Sequence, residues 1–222
     1  MQRDDRYRKI IHENEYVLKM QNEVLPYLER RVSEAWIPCA PENRGRVHVL
    51  RYLADKARGV VVISHGFSES AQKYPELIYY FLQEHYHVYF PEHCGHGLSY
   101  RLTDDPSLVH LDRWNRYSRD FLRVSRLIRK AHPGMPLYLF AHSMGGAVAA
   151  IAAAREPYIY KKVIFFSFSI FTKNSCFFMI FRDAFQYEKC CFSPDFCPCV
   201  TNLLFFYCAA LCIIIHHFHG LA

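Results

Sequence analysis

No stretch of the chain reaches the roughly 18–20 consecutive apolar residues that a membrane-spanning helix needs. The nearest, Leu203 to Ile215, is too short. The N-terminal run MQRDDRYRKIIHENEY holds no apolar h-region and does not read as a secretory signal. No RNP, helix-turn-helix or zinc-finger pattern occurs, and a net charge of +6 is too modest to argue for nucleic acid. There is no C-x-x-C pair, no internal repeat and no Gly/Ser linker. These absences point to one domain with neither leader nor span. The nine cysteines are then expected to be reduced thiols of a cytoplasmic protein, not a disulfide framework.

The chain has 222 residues, 51% hydrophobic and 16% aromatic, enough to bury a core and too apolar for disorder. Val17, Met20, Val24 and Leu28 recur at helical spacing and predict a helix over residues 15–32, kinked or split at Pro26. Residues 46–53 alternate as a strand, and the run GVVVIS at 59–64 suits a strand buried on both faces. Tyr74, Leu77, Ile78, Phe81 and Leu82 form one apolar face of a helix at 70–84. A strand at 87–91 leads through His93 to a Gly95-His96-Gly97 turn. A long helix follows at 111–131, then a strand at 136–142, an Ala-rich helix at 144–155 and a strand starting at 161. Strands alternating with helices predict an α/β fold, a mostly parallel sheet with helices on both faces.

The chemistry concentrates where the 136–142 strand runs into the Ala-rich helix, at Ala141-His142-Ser143-Met144-Gly145-Gly146. A serine on a sharp strand-to-helix turn needs small neighbours on both sides, and Ala141 and Gly145 supply them. The helix start directs free N–H groups and a positive dipole end toward the serine oxygen. A second motif, His65-Gly66-Phe67-Ser68-Glu69-Ser70, follows the 59–64 strand. An oxyanion needs two preorganised donors, and this architecture offers the backbone N–H of Met144 and one from the earlier loop, that of Phe67. His65 reads as a support for that loop rather than as the base, with Gly66 and His142 completing the supporting set. A third motif, Glu92-His93-Cys94-Gly95-His96-Gly97, is weak alone but informative in this order. Nothing in the constellation calls for a cofactor or a metal.

The run VVVISHGFSES, KYPELIYYFL, VYFPEHCGHGLSYR, HLDRWNRYSRDF and PLYLFAHSMGGAVAA resembles the lysophospholipase and monoacylglycerol-lipase-like branch of the α/β-hydrolase superfamily over roughly residues 20–163. AHSMGG is most similar to the bacterial lysophospholipase L2 type. The resemblance implies an α/β-hydrolase fold, a lipid or small ester substrate, Ser143 as nucleophile, and Phe67 with Met144 as the oxyanion hole. Cys94 stands where the family has Arg, which implies a disturbed structural ion pair.

In this architecture an acid and then a histidine follow the serine in chain order. The relatives continue with a Ser-Ser-Pro turn and a lid, whereas here the sequence departs from them at about Phe165. The remaining residues are loaded with Phe, Cys and Ile and lack helical or strand periodicity. The expected layout is thus a partial hydrolase core over residues 1–165 and an aberrant tail over 166–222 that forms no separate domain. Four readings of the tail stay open. It is a frameshifted end that leaves the hydrolase impaired. Or it is a divergent end in which Asp183 or Asp195 with His216, His217 or His219 completes a triad. Or Cys190, Cys191, Cys197 and Cys199 with the histidines bind a metal, or the apolar run attaches to a membrane. On the 111–131 helix, Arg113, Arg116, Arg119, Arg123, Arg126 and Arg129 recur every three or four residues. They are expected to form a solvated outer face or, alternatively, a peripheral contact for anionic phospholipid.

Overall fold

The computed structural model describes residues 10–41, 43–166, 178–182 and 186–190. One sheet holds β1 (Val32–Pro38), β2 (Arg46–Tyr52), β3 (Gly59–Ser64), β4 (Tyr86–Pro91), β5 (Leu137–His142), β6 (Lys162–Phe166), β7 (Phe178–Arg182) and β8 (Gln186–Cys190). The strand order is β1-β2-β4-β3-β5-β6-β7-β8. The four central strands, β4, β3, β5 and β6, run parallel. Antiparallel pairs flank them on both sides. The helices are α1 (Tyr16–Lys19), α2 (Leu25–Glu29), α3 (Pro75–Gln83), α4 (Asn115–Ala131) and α5 (Met144–Arg155).

Alternation along the central strands explains the two-sided core. Val61 and Ile63 of β3 and Phe140 of β5 join Val24, Leu28, Ile78 and Phe81 on one face. Val60 and Val62 of β3 and Leu139 and Ala141 of β5 join Phe121, Val124, Ile128, Val148 and Ala152 on the other. Tyr74, just before α3, and Leu77, Ile78, Phe81 and Leu82 within it, which share one apolar face in the sequence, are all buried. The carboxylate of Asp120 on α4 accepts hydrogen bonds from Ala40 N (2.7 Å), Asn43 Nδ2 (2.8 Å) and the Tyr100 hydroxyl (2.5 Å), fastening that helix to two loops.

Three expectations are corrected. The helix expected over 15–32 ends at Glu29, and the split expected at Pro26 takes the form of a π turn at Met20–Val24 just before it. A proline inside a helix removes an N–H and crowds the carbonyl four residues back, so a wider turn there relieves the clash. The chain then enters β1, a strand that the pattern did not announce. β1 is an edge strand half open to solvent, so it carries polar residues and takes its order from the ladder to β2, from Val32 opposite Tyr52 to Pro38 opposite Arg46. Among the described residues beyond 168, where irregular packing is expected, the backbone at 178–182 and 186–190 forms the antiparallel strand pair β7 and β8 beside β6. Backbone ladders need no apolar alternation to form.

Phe140 sits mid-sheet at 2% exposure, with its ring edge-on to Phe81 and stacked near Phe166. Phe140→Ala is expected to lower the unfolding free energy by about 3–5 kcal/mol. Urea titration should show this as a shifted midpoint with an unchanged slope; a loss under about 1 kcal/mol would mean that this face is not a packed core.

Candidate active site at the end of the central strands

β5 ends at His142 and α5 begins at Met144, so Ser143 alone makes the turn. Its backbone sits at φ 50° and ψ −121°, a region that side chains with a Cβ rarely occupy and that costs about 1–3 kcal/mol. Two hydrogen bonds hold it there, from Ser143 N to Phe166 O of β6 (3.2 Å) and from Gly146 N to Ser143 O (2.8 Å). Gly145 packs so closely on β3 that a Cβ would lie 2.1 Å from Ser64 O and 2.5 Å from His65 O. Only glycine fits, which is the physical content of the small-residue requirement. Ala141 is fully buried between its neighbours, paired with Ser64 on β3 and Phe165 on β6.

The 65–69 loop leaves the end of β3 beside this turn. His65 is fully buried and its two ring nitrogens serve backbone groups. Nδ1 donates to Gly66 O (2.8 Å) and Nε2 accepts from His93 N (2.9 Å). Burial pushes its pKa down to about 3, so the ring is neutral. His93 Nε2 lies 3.1 Å from Ser64 Oγ, which donates to Gly145 O at 2.9 Å. His93 is also held well below the ordinary histidine range by burial. His96 Nε2 accepts from Ser68 N (3.1 Å) while its Nδ1 donates to Cys94 O (3.0 Å). Three neutral imidazoles thus brace the loop and the turn. Phe67 is exposed, and its N–H lies between those of Gly66 and Ser68, which are both taken up. Among the described residues no hydrogen bond takes up the N–H of Phe67 or of Met144.

The pattern missed a polar cluster that joins the two motifs. Glu69 Oε2 accepts from Gly66 N (2.7 Å), from His142 Nδ1 (3.0 Å) and from the Tyr74 hydroxyl. Burial alone would raise the pKa of Glu69, but the hydrogen bonds from His142 and Tyr74 outweigh it and hold it at about 2. Its one sequence signal is a carboxylate three residues after Gly66 in the same loop.

Other candidates fall elsewhere. Asp183, Asp195, Cys191, Cys197, Cys199, His216, His217 and His219 lie outside the described residues. Among the described residues no group of three or more His, Cys, Asp or Glu side chains is arranged to hold a metal ion, and no described helix is long and apolar enough to cross a membrane. Of the arginine row on α4, Arg113, Arg126 and Arg129 are exposed, Arg119 and Arg123 half-buried, and Arg116 alone is buried, so the row is a largely solvated face with one member turned inward. Arg116 is buried and pairs with Asp112 (2.7 Å), Arg126 pairs with Glu156, and Arg123 and Arg129 donate to Pro38 O (2.8 Å) and Ile159 O (3.0 Å). Helical spacing foresees the Asp112 pair, four residues from Arg116, but not Glu156, Pro38 O and Ile159 O, which come from other elements. Cys94 is buried, and burial pushes its thiol up to about 11.

Residues 55–183, more than half of the chain, match the Hydrolase_4 family, described as serine aminopeptidase, S33. Lysophospholipase L2 of Escherichia coli (strain K12) is 37% identical over 111 residues, covering 50% of this chain and 33% of that protein. Monoglyceride lipase of Homo sapiens is 33% identical over 100 residues, covering 45% of this chain and 31% of that protein. The matched segment therefore spans about a third of the length of these curated relatives. A thermostable carboxyl esterase from Bacillus coagulans shares the fold, with a TM-score of 0.53 and 23% identity over 61% of this chain and 44% of that one.

The neutral histidines make stability depend on pH with a definite sign. The folded pKa of His65, about 3, lies below the ordinary 6.5, so the unfolded chain binds the proton more tightly. Stability is complete above pH 6.5 and is lost as pH falls toward 3. The loss is about 1 kcal/mol per pH unit for each such proton. Urea unfolding across this window should show that slope, reduced in His65→Gln; a pH-independent midpoint would mean that His65 is not buried and neutral.

Proposed function

The chain belongs to the Hydrolase_4 (serine aminopeptidase, S33) family, and from that premise we propose that it carries the nucleophile half of a carboxylic-ester hydrolase acting on a lysophospholipid or a monoacylglycerol. The observation that supports this most is the strained turn at Ser143, with the uncommitted N–H of Met144 on one side and that of Phe67 on the loop beside it. In this reading Ser143 Oγ attacks the ester carbonyl and forms a C–O bond. The carbonyl π electrons move onto oxygen, and the two N–H groups with the α5 dipole receive the charge. The serine proton passes to a general base; the oxyanion then re-forms the carbonyl as the ester C–O bond breaks, and the base returns the proton to the leaving alcohol oxygen. Water next hydrolyses the acyl-serine by the same steps in reverse. The exposed Phe67, Leu98 and Trp114, on loops at this edge, offer apolar surface to an acyl chain. The head-group classes come from the names of the relatives.

A second reading is that the site of this chain is impaired for want of a base. It is favoured by one contact: His142, the histidine next to Ser143 in the chain, turns its Nδ1 to Glu69. The two readings separate in one assay, with lysophosphatidylcholine, monooleoylglycerol and p-nitrophenyl butyrate as substrates. A built-in base predicts ester turnover that falls about a hundredfold or more in Ser143→Ala and is indifferent to added imidazole. An impaired site predicts a slow, Ser143-dependent rate that climbs with imidazole, because the free base substitutes for the missing one. Equal rates in the wild type and in Ser143→Ala would refute both.

A further inference from the structure

Two backbone donors from different parts of the fold can act on one oxyanion only if their separation is held to a fraction of an ångström. The N–H of Met144 belongs to the start of α5, while that of Phe67 belongs to a loop after β3. Loops move more than the elements they join, so the loop donor is the one that needs fastening. Its neighbours are fastened by side chains: the Gly66 N–H to Glu69 and the Ser68 N–H to His96. The Glu69 contact differs in kind. The same oxygen, Oε2, also accepts from His142, whose backbone is covalently continuous with Ser143. A third donor, the Tyr74 hydroxyl, comes from the residue preceding α3. Tyr74 is buried and also lies 3.3 Å from His142 Nδ1. One carboxylate oxygen therefore joins the loop, the end of β5 and the entry to α3. The space is filled as well: a Cβ on Gly66 would lie 2.7 Å from Glu69 Oε2 and 3.1 Å from His142 Nδ1.

We propose that Glu69 is a positioning residue of the ester-hydrolase site, a clamp that holds the Phe67 N–H in register with the Met144 N–H by binding Gly66 N–H and His142 Nδ1–H through one oxygen. The inference rests on the serine-hydrolase reading above and adds to it a residue that never touches substrate. A charged acceptor is suited to the task, because hydrogen bonds to an ionised carboxylate are roughly twice as strong as neutral ones. Its protonation would turn an acceptor toward its own donors, and its partners keep it ionised throughout the neutral range.

The test uses the full chain, with Glu69→Ala and Glu69→Gln, p-nitrophenyl butyrate as substrate and imidazole added where the wild type requires it. If the clamp aligns the hole, Glu69→Ala lowers kcat about a hundredfold with KM within about twofold, the scale of losing one oxyanion donor. Glu69→Gln keeps an oxygen acceptor and nearly the same volume, so it should lose only about tenfold. In the chain labelled with 15N-glycine, the Gly66 amide proton, assigned through its His65 neighbour, should lie at low field and move upfield in both variants. A variant that unfolds more easily but keeps the wild-type kcat would overturn the clamp and leave Glu69 a structural residue. A Gly66 amide unmoved in Glu69→Gln would overturn it too. If the wild type shows no Ser143-dependent rate, the hydrolase reading fails, and the Gly66 shift alone then decides whether Glu69 holds the loop.

Discussion

Everything at the carboxyl end of this sheet depends on how closely the backbone of Gly145 approaches the carbonyls of Ser64 and His65. A methyl group there would overlap β3, so the first turn of α5 can lie against the sheet only because the side chain is a hydrogen. That approach leaves no room for a gradual strand-to-helix transition. The whole reversal falls on Ser143, whose positive φ is the local cost. The cost is offset by the hydrogen bond to Phe166 of β6, by the Gly146 bond and by the buried fit of Ala141 between its neighbouring strands.

The histidines around the turn have a shared character. A buried charge is expensive to keep, and a neutral imidazole offers one donor and one acceptor at fixed angles. His65 and His96 each span two polar groups in that way, and the His93 ring meets the Ser64 hydroxyl, linking β3, the 65–69 loop and the loop after β4. Their aromatic faces also stack, with His65 flat on Phe90 at 5.5 Å and His96 edge-on to Phe67 at 5.7 Å. Rigidity is thus supplied by neutral groups, and the ionised carboxylate of Glu69 is reserved for the junction where three donors meet.

The parts of this arrangement that depend on near neighbours in the chain are legible in the sequence. β3 announces itself because a strand covered on both faces reads as a continuous β-branched run, Val60 to Ile63, and the turn at Ser143 because its steric needs fall on residues two places away. β1 is hidden, since an edge strand such as Val32–Pro38 is ordered by its ladder to β2 and not by a buried stripe of its own. The Glu69 junction is hidden for a different reason. Its members come from a loop, the residue before α3 and the end of β5, and no spacing rule joins positions 66, 69, 74 and 142. The partners of the α4 arginines are hidden in the same way, because Glu156 and the carbonyls of Pro38 and Ile159 come to these largely solvated side chains from outside the helix.

The central claim is that the fold presents Ser143 with the amides of Phe67 and Met144 aimed at one point. The most direct measurement is a crystal structure of the chain after exhaustive treatment with a fluorophosphonate, whose adduct mimics the tetrahedral intermediate. The account predicts a single phosphonate on Ser143 Oγ, with its phosphonyl oxygen about 3 Å from both the Phe67 and Met144 nitrogens. A phosphonate on another residue, or one on Ser143 whose oxygen faces away from those two amides, would contradict it.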